Sequence, residues 1–130
     1  MKFCQEIKKE KVFEFAMNLI KSSKKNINMT MDLKEEIEKP LPKIYHNTLS
    51  KLAKKSIIIT RYGFGSKQLF NNFKNKYKEV IMYYGGSLNK YQRMLIVDEK
   101  QGLFVVNGIV FFSRFKPLIK SLLKYVKIYK

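Results

Sequence analysis

The run Ser56-Ile57-Ile58-Ile59-Thr60 places the strongest constraint on how this chain can fold. It is unbroken and rich in β-branched side chains, which predicts a strand that is covered on both faces. A strand buried in this way needs helices packed above and below its sheet. The run therefore favours an α/β fold built in layers.

The rest of the chain alternates helical and strand patterns and then continues with consecutive strands. Apolar residues at helical spacing predict helices over residues 5–23, 43–54, 66–77 and 117–127. Strand patterns cover residues 27–31, 56–60, 80–84, 92–98, 103–106 and 109–112. Between the last two, Asn107-Gly108 predicts a tight hairpin, and two prolines predict a break after the acidic stretch 32–38. This order predicts one α/β domain over residues 1–130, a three-layer sandwich with a mixed β-sheet flanked by helices.

The chain is strongly basic, with a formal net charge of +17 over 130 residues. Residues 1–39 hold nine Lys/Arg and seven Asp/Glu, a balance of +2, whereas residues 40–130 hold eighteen and three, a balance of +15. Such a field attracts nucleic acid, an anionic membrane surface or phosphorylated ligands. The alternative is a coding bias, because Lys, Asn, Ile, Phe and Tyr are all abundant.

Single copies of cysteine and histidine exclude several kinds of site. With Cys4 alone no intramolecular disulfide can form, which is typical of a reducing cytoplasm. With His46 alone the chain lacks the usual ligands of a zinc site and any pair of histidines for acid–base work. No apolar run reaches the ~18 residues that span a bilayer, and no signal peptide is evident. We therefore expect a cytoplasmic protein without a cofactor or metal.

Tyr91, Arg93 and Asp98 bracket the apolar segment 94–97. Their spacing resembles the signature of the phospholipase D superfamily, His-x-Lys-x-x-x-x-Asp, with Tyr91 in the place of the nucleophilic His. Arg93 then stands in the place of Lys, and Asp98 matches the Asp. The order of elements over residues 8–127 is similar to the repeating unit of that superfamily. The resemblance implies a phospholipase D-like fold and a homodimer, because members with one signature per chain pair across a two-fold axis.

The resemblance also implies that the catalytic group has been lost. In the enzymes His attacks phosphorus and Lys steadies the phosphate oxygens, whereas an unperturbed tyrosine phenol has a pKa near 10. Arg93 keeps a cation that could grip a phosphate, and Asp98 could only orient its neighbours. The Gly-Ser-x-Asn segment that follows the family signature is missing. This degeneracy is similar to that of the effector domains of sugar-responsive transcription regulators, which act as sensors or dimerisation modules.

Three further sets of residues are candidates for anion binding. The turn 61–67 follows a predicted strand and opens a helix, so Arg61 and Lys67 are phosphate-binding candidates together with Lys90 and Arg93. One face of the last predicted helix carries a basic stripe: Lys116, Lys120, Lys124 and Lys127. A third set alternates with Phe73 and Tyr77, whose rings could stack on bases: Lys74, Lys76 and Lys78. Ordinary turns and solvated lysines are the alternative explanation for all three.

The sequence therefore favours a non-catalytic phospholipase D-like regulatory or binding domain, a pseudoenzyme in transcription regulation with nucleic acid or another polyanion as its partner. Two alternatives stay open. One is a phosphodiesterase or nuclease with a divergent active site centred on Tyr91. The other is a sensor of a small anionic ligand. Apart from these functions, the segment 91–98 can also be read as an ordinary core strand without a functional role.

Overall fold

The structure is a computed structural model that describes residues 3–77 and 79–127. Seven strands lie in this part of the chain: β1 (Gln5–Ile7), β2 (Asn26–Asp32), β3 (Ile58–Phe64), β4 (Ile81–Gly86), β5 (Met94–Val97), β6 (Gln101–Val106) and β7 (Ile109–Ser113). Five α-helices accompany them: α1 (Val12–Lys21), α2 (Leu33–Glu38), α3 (Lys43–Lys54), α4 (Lys67–Phe73) and α5 (Lys116–Lys127). The described helices include none that is long and apolar enough to cross a bilayer.

All seven strands form one mixed sheet in the order β1-β7-β6-β5-β2-β3-β4. β2, β3 and β4 run parallel, whereas β5, β6, β7 and β1 pair antiparallel with their neighbours. The carboxyl ends of the three parallel strands therefore lie together at one end of the sheet, and the antiparallel β5 begins at the same end. We call this the signature edge and define it as residues 32–39, 65–67 and 87–93. The opposite edge holds the amino ends of β2 and β3 and the turn between β5 and β6.

Helices cover both faces of the sheet, as the sequence predicted. On one face α1 and α3 bury Ile20 and Leu49 against Ile27, Ile59 and Val97. On the other face α5 buries Ile119, Leu123 and Val126 against side chains of the central strands: Tyr62, Phe64, Met94, Ile96 and Phe104. Each fully buried aliphatic side chain of this kind stabilises the fold by roughly 1.5–3 kcal/mol. The result is a three-layer α/β sandwich with a mixed sheet.

The end of α5 is tied to both ends of β5. The hydroxyl of Tyr125 donates to the carbonyl of Lys90 ahead of the strand, and Nζ of Lys127 lies 2.6 Å from Oε1 of Glu99 behind it. Its buried residues recur at spacings of four and three, which leaves the lysines of the helix exposed. The helix therefore lies across the sheet with its basic stripe outside the core.

Two elements differ from the sequence prediction at the start of the chain and after β2. Residues 5–7 are not helical, because Gln5 and Ile7 pair with Phe112 and Val110 on the edge of β7 and the helix begins only at Val12. The acidic stretch is not merely a break. Asp32 accepts hydrogen bonds from the backbone of residues 34 and 35 at 3.0 and 3.1 Å, which caps the short helix α2.

The strand predicted at 56–60 begins at Ile58, which is 58% exposed, and continues to Phe64. Arg61 therefore lies inside a strand, and its predicted position in the strand-to-helix turn is wrong. Continued pairing explains the difference, because β2 runs alongside as far as Asp32, opposite Phe64. Gly63 is favoured at its position in this strand because the Cβ of any other residue would lie only 3.0 Å from Cδ2 of Leu33.

The predicted hairpin at Asn107-Gly108 is confirmed. Both residues have positive φ angles, 51° and 76°, as a type I′ turn requires. β6 and β7 pair directly on either side of it, from Val106 opposite Ile109 to Gly102 opposite Ser113.

Candidate functional site

Tyr91 and Arg93 lie at the signature edge, immediately ahead of β5. The ring of Tyr91 packs 5.5 Å from the ring of Phe64, which closes β3. Phe64 reaches this position because Gly85 on β4 has no side chain; a Cβ there would come within 2.4 Å of the Phe64 ring. Tyr91 is thus a half-buried side chain that rests on the sheet.

The phenol of Tyr91 is held in its neutral form. Burial raises the pKa of Tyr91 to about 12, and the carboxylates of Glu35 and Asp32 add to the rise. Arg93 and the hydroxyl of Thr30 pull in the opposite direction without cancelling it. At neutral pH a nucleophilic phenolate is therefore rarer here than for a free tyrosine, and it would need a base that takes up its proton.

The guanidinium of Arg93 already has a carboxylate partner. Its Nη2 donates to Oε2 of Glu35 on α2, and its centre lies 5.8 Å from the ring of Tyr91. The pair is about half exposed, with side-chain accessibilities of 47% for Arg93 and 41% for Glu35. An anion at this position would compete with Glu35 for the arginine.

Hydrogen bonds fix the chain between the two candidate side chains. The hydroxyl of Thr30 on β2 donates to the carbonyl of Gln92 at 2.6 Å and accepts from the backbone N–H of Met94 at 2.9 Å. Nε2 of the Gln92 side chain donates to the backbone carbonyl of Val105 at 2.8 Å. Hydrogen bonds with β2 and β6 therefore fix the backbone of the signature edge around Gln92.

Asp98 lies at the opposite end of β5, about 15 Å of extended chain from Arg93. Its carboxylate accepts from the backbone N–H groups of Lys24, Lys25 and Asn26 at 2.9, 2.8 and 3.1 Å. The hydroxyl of Ser23 donates to it at 3.0 Å. Partial burial would raise the pKa of Asp98, but these donors outweigh it and lower that pKa below the usual value. The third residue of the spacing thus ties a loop to a turn and does not join the other two.

A buried ionic cluster under the signature edge was not predicted. Arg61, 2% exposed, lies 3.8 Å from Oε2 of Glu36 on α2, and Nε2 of His46 on α3 lies 3.1 Å from the other oxygen of Glu36. The ring of His46 stacks on Tyr77 at 4.7 Å. An arginine within a continuous strand pattern was the signal that could have revealed this cluster.

A cavity of about 900 Å³ connects this cluster with the signature residues. Its wall includes Arg61, Glu36, Arg93, Glu35 and Tyr91, together with apolar side chains of α1, β6 and β7. Its cations and carboxylates thus occur in about equal number. The sensor alternative remains geometrically open here, although nothing in the wall favours an anion strongly.

The remaining phosphate-binding candidates lie at the signature edge without a shared centre. Nζ of Lys67 lies 4.6 Å from the ring of Tyr84, and Ser66 caps α4 by accepting from the N–H of Leu69 at 3.2 Å. Lys90 is exposed. The part of the chain that the structure describes contains no group of three or more His, Cys, Asp or Glu arranged to hold a metal.

The basic stripe of α5 borders a shallow hollow of about 490 Å³, which is lined by Glu99, Lys120, Leu123, Lys124 and Lys127. Lys116 is exposed at the other end of the helix. Of the aromatic–basic set, Lys74 is exposed and Lys76 lies 5.2 Å from the ring of Phe73, which is itself 6% exposed. Lys78 lies outside the described residues. Because Phe73 is buried and Tyr77 is stacked on His46, neither ring is free to stack on a base.

Comparison with known proteins places the fold. No protein-family model and no curated protein sequence matches this chain. Solved structures do match over nearly all of it: Nuc from Salmonella typhimurium, a phospholipase D family member, at 12% identity and a TM-score of 0.67, and NucT from Helicobacter pylori at 11% and 0.65. Each alignment covers 97% of this chain and 92% of the other.

A third structure is similar over 99% of this chain at 8% identity and a TM-score of 0.71. It is TrmBL2, an archaeal chromatin protein whose structure shows a novel mode of DNA binding, and the present chain spans 50% of its length. The chain therefore has the phospholipase D-like fold that the signature spacing and element order predicted.

Proposed function

We propose that this chain is a non-catalytic phospholipase D-like domain that binds nucleic acid and serves a regulatory role. The observation that carries the proposal is the state of Tyr91. The signature spacing aligns Tyr91 with the family's nucleophile, and its ring is packed on Phe64 while burial keeps its phenol neutral. A neutral phenol does not form a covalent intermediate with a phosphoryl group unless a base takes up its proton.

No histidine is available to replace it. The single histidine, His46, is stacked on Tyr77 and lies against Glu36. Arg93, in the place of the family lysine, is paired with Glu35. Both positions that serve phosphodiester cleavage in the family are therefore committed to contacts within the protein.

Charge and structural likeness support nucleic acid as the partner. The net charge of +17 favours a polyanion, and the similar TrmBL2 is described as a chromatin protein that binds DNA. At 8–12% identity these likenesses concern the fold, so the partner rests on the charge of this chain. Nucleic acid fits better than a small anion because the charge is spread over a surface far larger than one pocket.

The proposal includes a homodimer in the cytoplasm. Three apolar side chains at the wall of the large cavity are exposed, Phe13 at 40%, Leu41 at 36% and Ile109 at 42%. A second copy of the chain would cover them. Sedimentation equilibrium tests this point: a dimer that Ile109→Lys converts to monomer supports it, and a monomeric wild type at micromolar concentration contradicts it.

The experiment that tests the function measures binding and cleavage together. Labelled single- and double-stranded DNA and RNA are titrated across a salt series, and the strands are afterwards analysed on a denaturing gel. We expect salt-sensitive binding and intact strands. Cleavage that Tyr91→Phe abolishes would make the chain a nuclease, and absence of binding at physiological salt would remove nucleic acid as its partner.

A further inference from the structure

Lysines gather at the edge of the sheet that lies opposite the signature residues. They occur in the connections that enter β2 and β3, in the turn between β5 and β6, and on the neighbouring face of α5. All eight are exposed: Lys24, Lys25, Lys54, Lys55, Lys100, Lys120, Lys124 and Lys127. We call this set the amino edge surface. Its only members among the sequence candidates are the three lysines of α5.

Backbone pairing brings the first two connections together. The N–H of Ile58 donates to the carbonyl of Lys25 at 3.1 Å, so the chain that follows α3 meets the chain that follows α1. Asn26 and Ile58 then open the parallel pair β2–β3. The doublet 24–25 therefore lies beside Ile58, and the doublet 54–55 ends the helix that leads to this strand.

Asp98 attaches the third segment. It accepts from the backbone of Lys24, Lys25 and Asn26, and in return the N–H of Asp98 donates to the carbonyl of Asn26 at 2.8 Å. These bonds satisfy the carboxylate of Asp98 and fix the backbone from which the side chains of Lys24 and Lys25 extend. Lys100 follows two residues later in the same turn.

The turn itself adopts a conformation that its residues disfavour. Asp98 and Glu99 both have φ angles of 57°, in the left-handed region that glycine and asparagine tolerate best. Residues held there persist where the surroundings fix them, and such places concentrate at functional sites. Here the Asp98 bonds hold one side of the turn and the contact of Glu99 with Lys127 holds the other.

The contact between Glu99 and Lys127 joins α5 to the amino edge surface. Nζ of Lys127 lies 2.6 Å from Glu99, and Lys120 and Lys124 line the same hollow as Glu99. The segments of the surface thus follow the order of the strands, from α3 and β3 through β2 and the β5–β6 turn to α5. Neighbouring strands are about 4.8 Å apart, so the strand ends alone span roughly 14 Å, the rise of about four base pairs.

The balance of charge separates this surface from the signature edge. Eight lysines face two carboxylates, Asp98 and Glu99, which gives +8 − 2 = +6. The signature edge holds five cations against four carboxylates, which gives +5 − 4 = +1. A polyphosphate backbone is drawn to the first in preference to the second.

We propose that the phosphate backbone of nucleic acid docks on the amino edge surface, at the end of the strands opposite the signature residues. Asp98 is the positioning residue of that surface. The inference rests on the proposed function and adds its location. Exposed lysines of this kind contact phosphates and not base edges, so the binding is expected to show little sequence preference. An anionic membrane is the competing partner, and the test includes it.

Two variants of equal charge test the location. The first replaces one lysine in each segment of the amino edge surface: Lys25→Gln, Lys55→Gln, Lys100→Gln and Lys124→Gln. The matched control removes four exposed lysines in the segments that follow β1 and β2: Lys8→Gln, Lys34→Gln, Lys39→Gln and Lys43→Gln. Circular dichroism and thermal unfolding confirm that both variants are folded.

Binding to a 20-base-pair duplex is then measured from 50 to 300 mM salt. For the amino edge variant we expect the slope of log K against log[salt] to fall by about 3–4 and the affinity near 0.15 M salt to fall by roughly 100-fold. For the control we expect the wild-type slope within about 1. Asp98→Asn, which keeps all lysines, should weaken binding several-fold and leave the strands uncut.

The outcomes separate the inference from the function on which it rests. If the wild type binds and the control loses affinity while the amino edge variant does not, the location is wrong and the function stands. If the wild type binds no nucleic acid, both are wrong. Vesicles of phosphatidylcholine with 30% phosphatidylserine form the last arm, and tight binding to them without duplex binding would overturn the choice of partner.

Discussion

The candidate side chains at the signature edge of this sheet are held by contacts with other side chains, whereas the opposite edge is held by hydrogen bonds from a side chain to the backbone. At the signature edge Tyr91 packs on the ring of Phe64, and the guanidinium of Arg93 is paired with the carboxylate of Glu35. At the amino edge the carboxylate of Asp98 accepts hydrogen bonds from the backbone of the loop ahead of β2. The comparison shows that the three residues of the signature spacing divide between two ends of the sheet: Tyr91 and Arg93 contact side chains, whereas Asp98 fixes the backbone.

The difference has a physical origin. A nucleophile needs a particular side chain with a tuned pKa, so a single replacement removes it. A carboxylate that accepts several backbone hydrogen bonds is needed for the fold itself, whatever the fold does. Asp98 is therefore constrained by the stability of the fold, and the exposed lysine side chains around it can vary without changing that constraint.

The largest expected effect concerns the ionic cluster beneath the signature edge. Arg61→Ala leaves Glu36 buried beside His46 without its guanidinium partner, so the free energy of unfolding should fall by about 3–5 kcal/mol. Urea denaturation measures this change. The double variant Glu36→Gln, Arg61→Met removes both charges and should recover most of the loss; a double variant as unstable as Arg61→Ala would show that packing, and not charge, is responsible.

The next effect concerns the amino edge. Asp98→Ala removes the acceptor of four hydrogen bonds and should lower the free energy of unfolding by about 1–3 kcal/mol. Because the folded pKa of Asp98 is lowered, its contribution is present above the usual aspartate pKa and is lost as pH falls through the folded value. The stability gap between wild type and variant should therefore narrow below about pH 4. A gap independent of pH would indicate that the carboxylate charge has no part in it.

A smaller effect follows from His46. Burial, with Arg61 adding to it, lowers the pKa of His46 below 6.5, and Glu36 opposes the shift without reversing it. The folded protein therefore prefers neutral His46, and stability present above pH 6.5 is lost as pH falls from there towards the folded pKa. The slope is at most about 1.4 kcal/mol per pH unit. Unfolding of wild type and His46→Phe between pH 7.5 and 5 measures it, and equal slopes would contradict the assignment.

The smallest effect is expected at the signature edge itself. Tyr91→Phe keeps the ring on Phe64 and removes only a hydroxyl, so stability should change by less than about 1 kcal/mol and duplex affinity should stay within twofold. Fluorescence anisotropy measures the affinity. A tenfold loss would place the bound nucleic acid at Tyr91 and remove the distinction between the edges.

Much of the fold was readable because local patterns agreed with tertiary packing. The Asn107-Gly108 turn demanded positive φ angles, and the spacing of Ile119 and Leu123 on α5 matched the core it covers. β1 could not be read, because three residues become a strand only through the edge of β7. α2 was missed because its cap, Asp32, was counted with the acidic stretch.

The site was readable only where it is local in sequence. Tyr91 and Arg93 were found from their spacing along one short segment of the chain, whereas Glu36, His46 and Arg61 come from three elements and meet only in the folded protein. The amino edge did leave a signal: the lysine doublets 24–25 and 54–55 each precede a predicted strand. Because parallel strands begin at the same edge, two such doublets predict one basic surface.

The most direct test of the account maps which lysines nucleic acid covers. Wild-type protein, free and saturated with duplex at low salt, is acetylated briefly, and the modification of each lysine is quantified by mass spectrometry. The account predicts that Lys24, Lys25, Lys100 and Lys124 are protected, whereas the lysines of the signature edge react equally in both states: Lys34, Lys39, Lys67 and Lys90. Protection of the signature-edge lysines with full reactivity at the amino edge would contradict it.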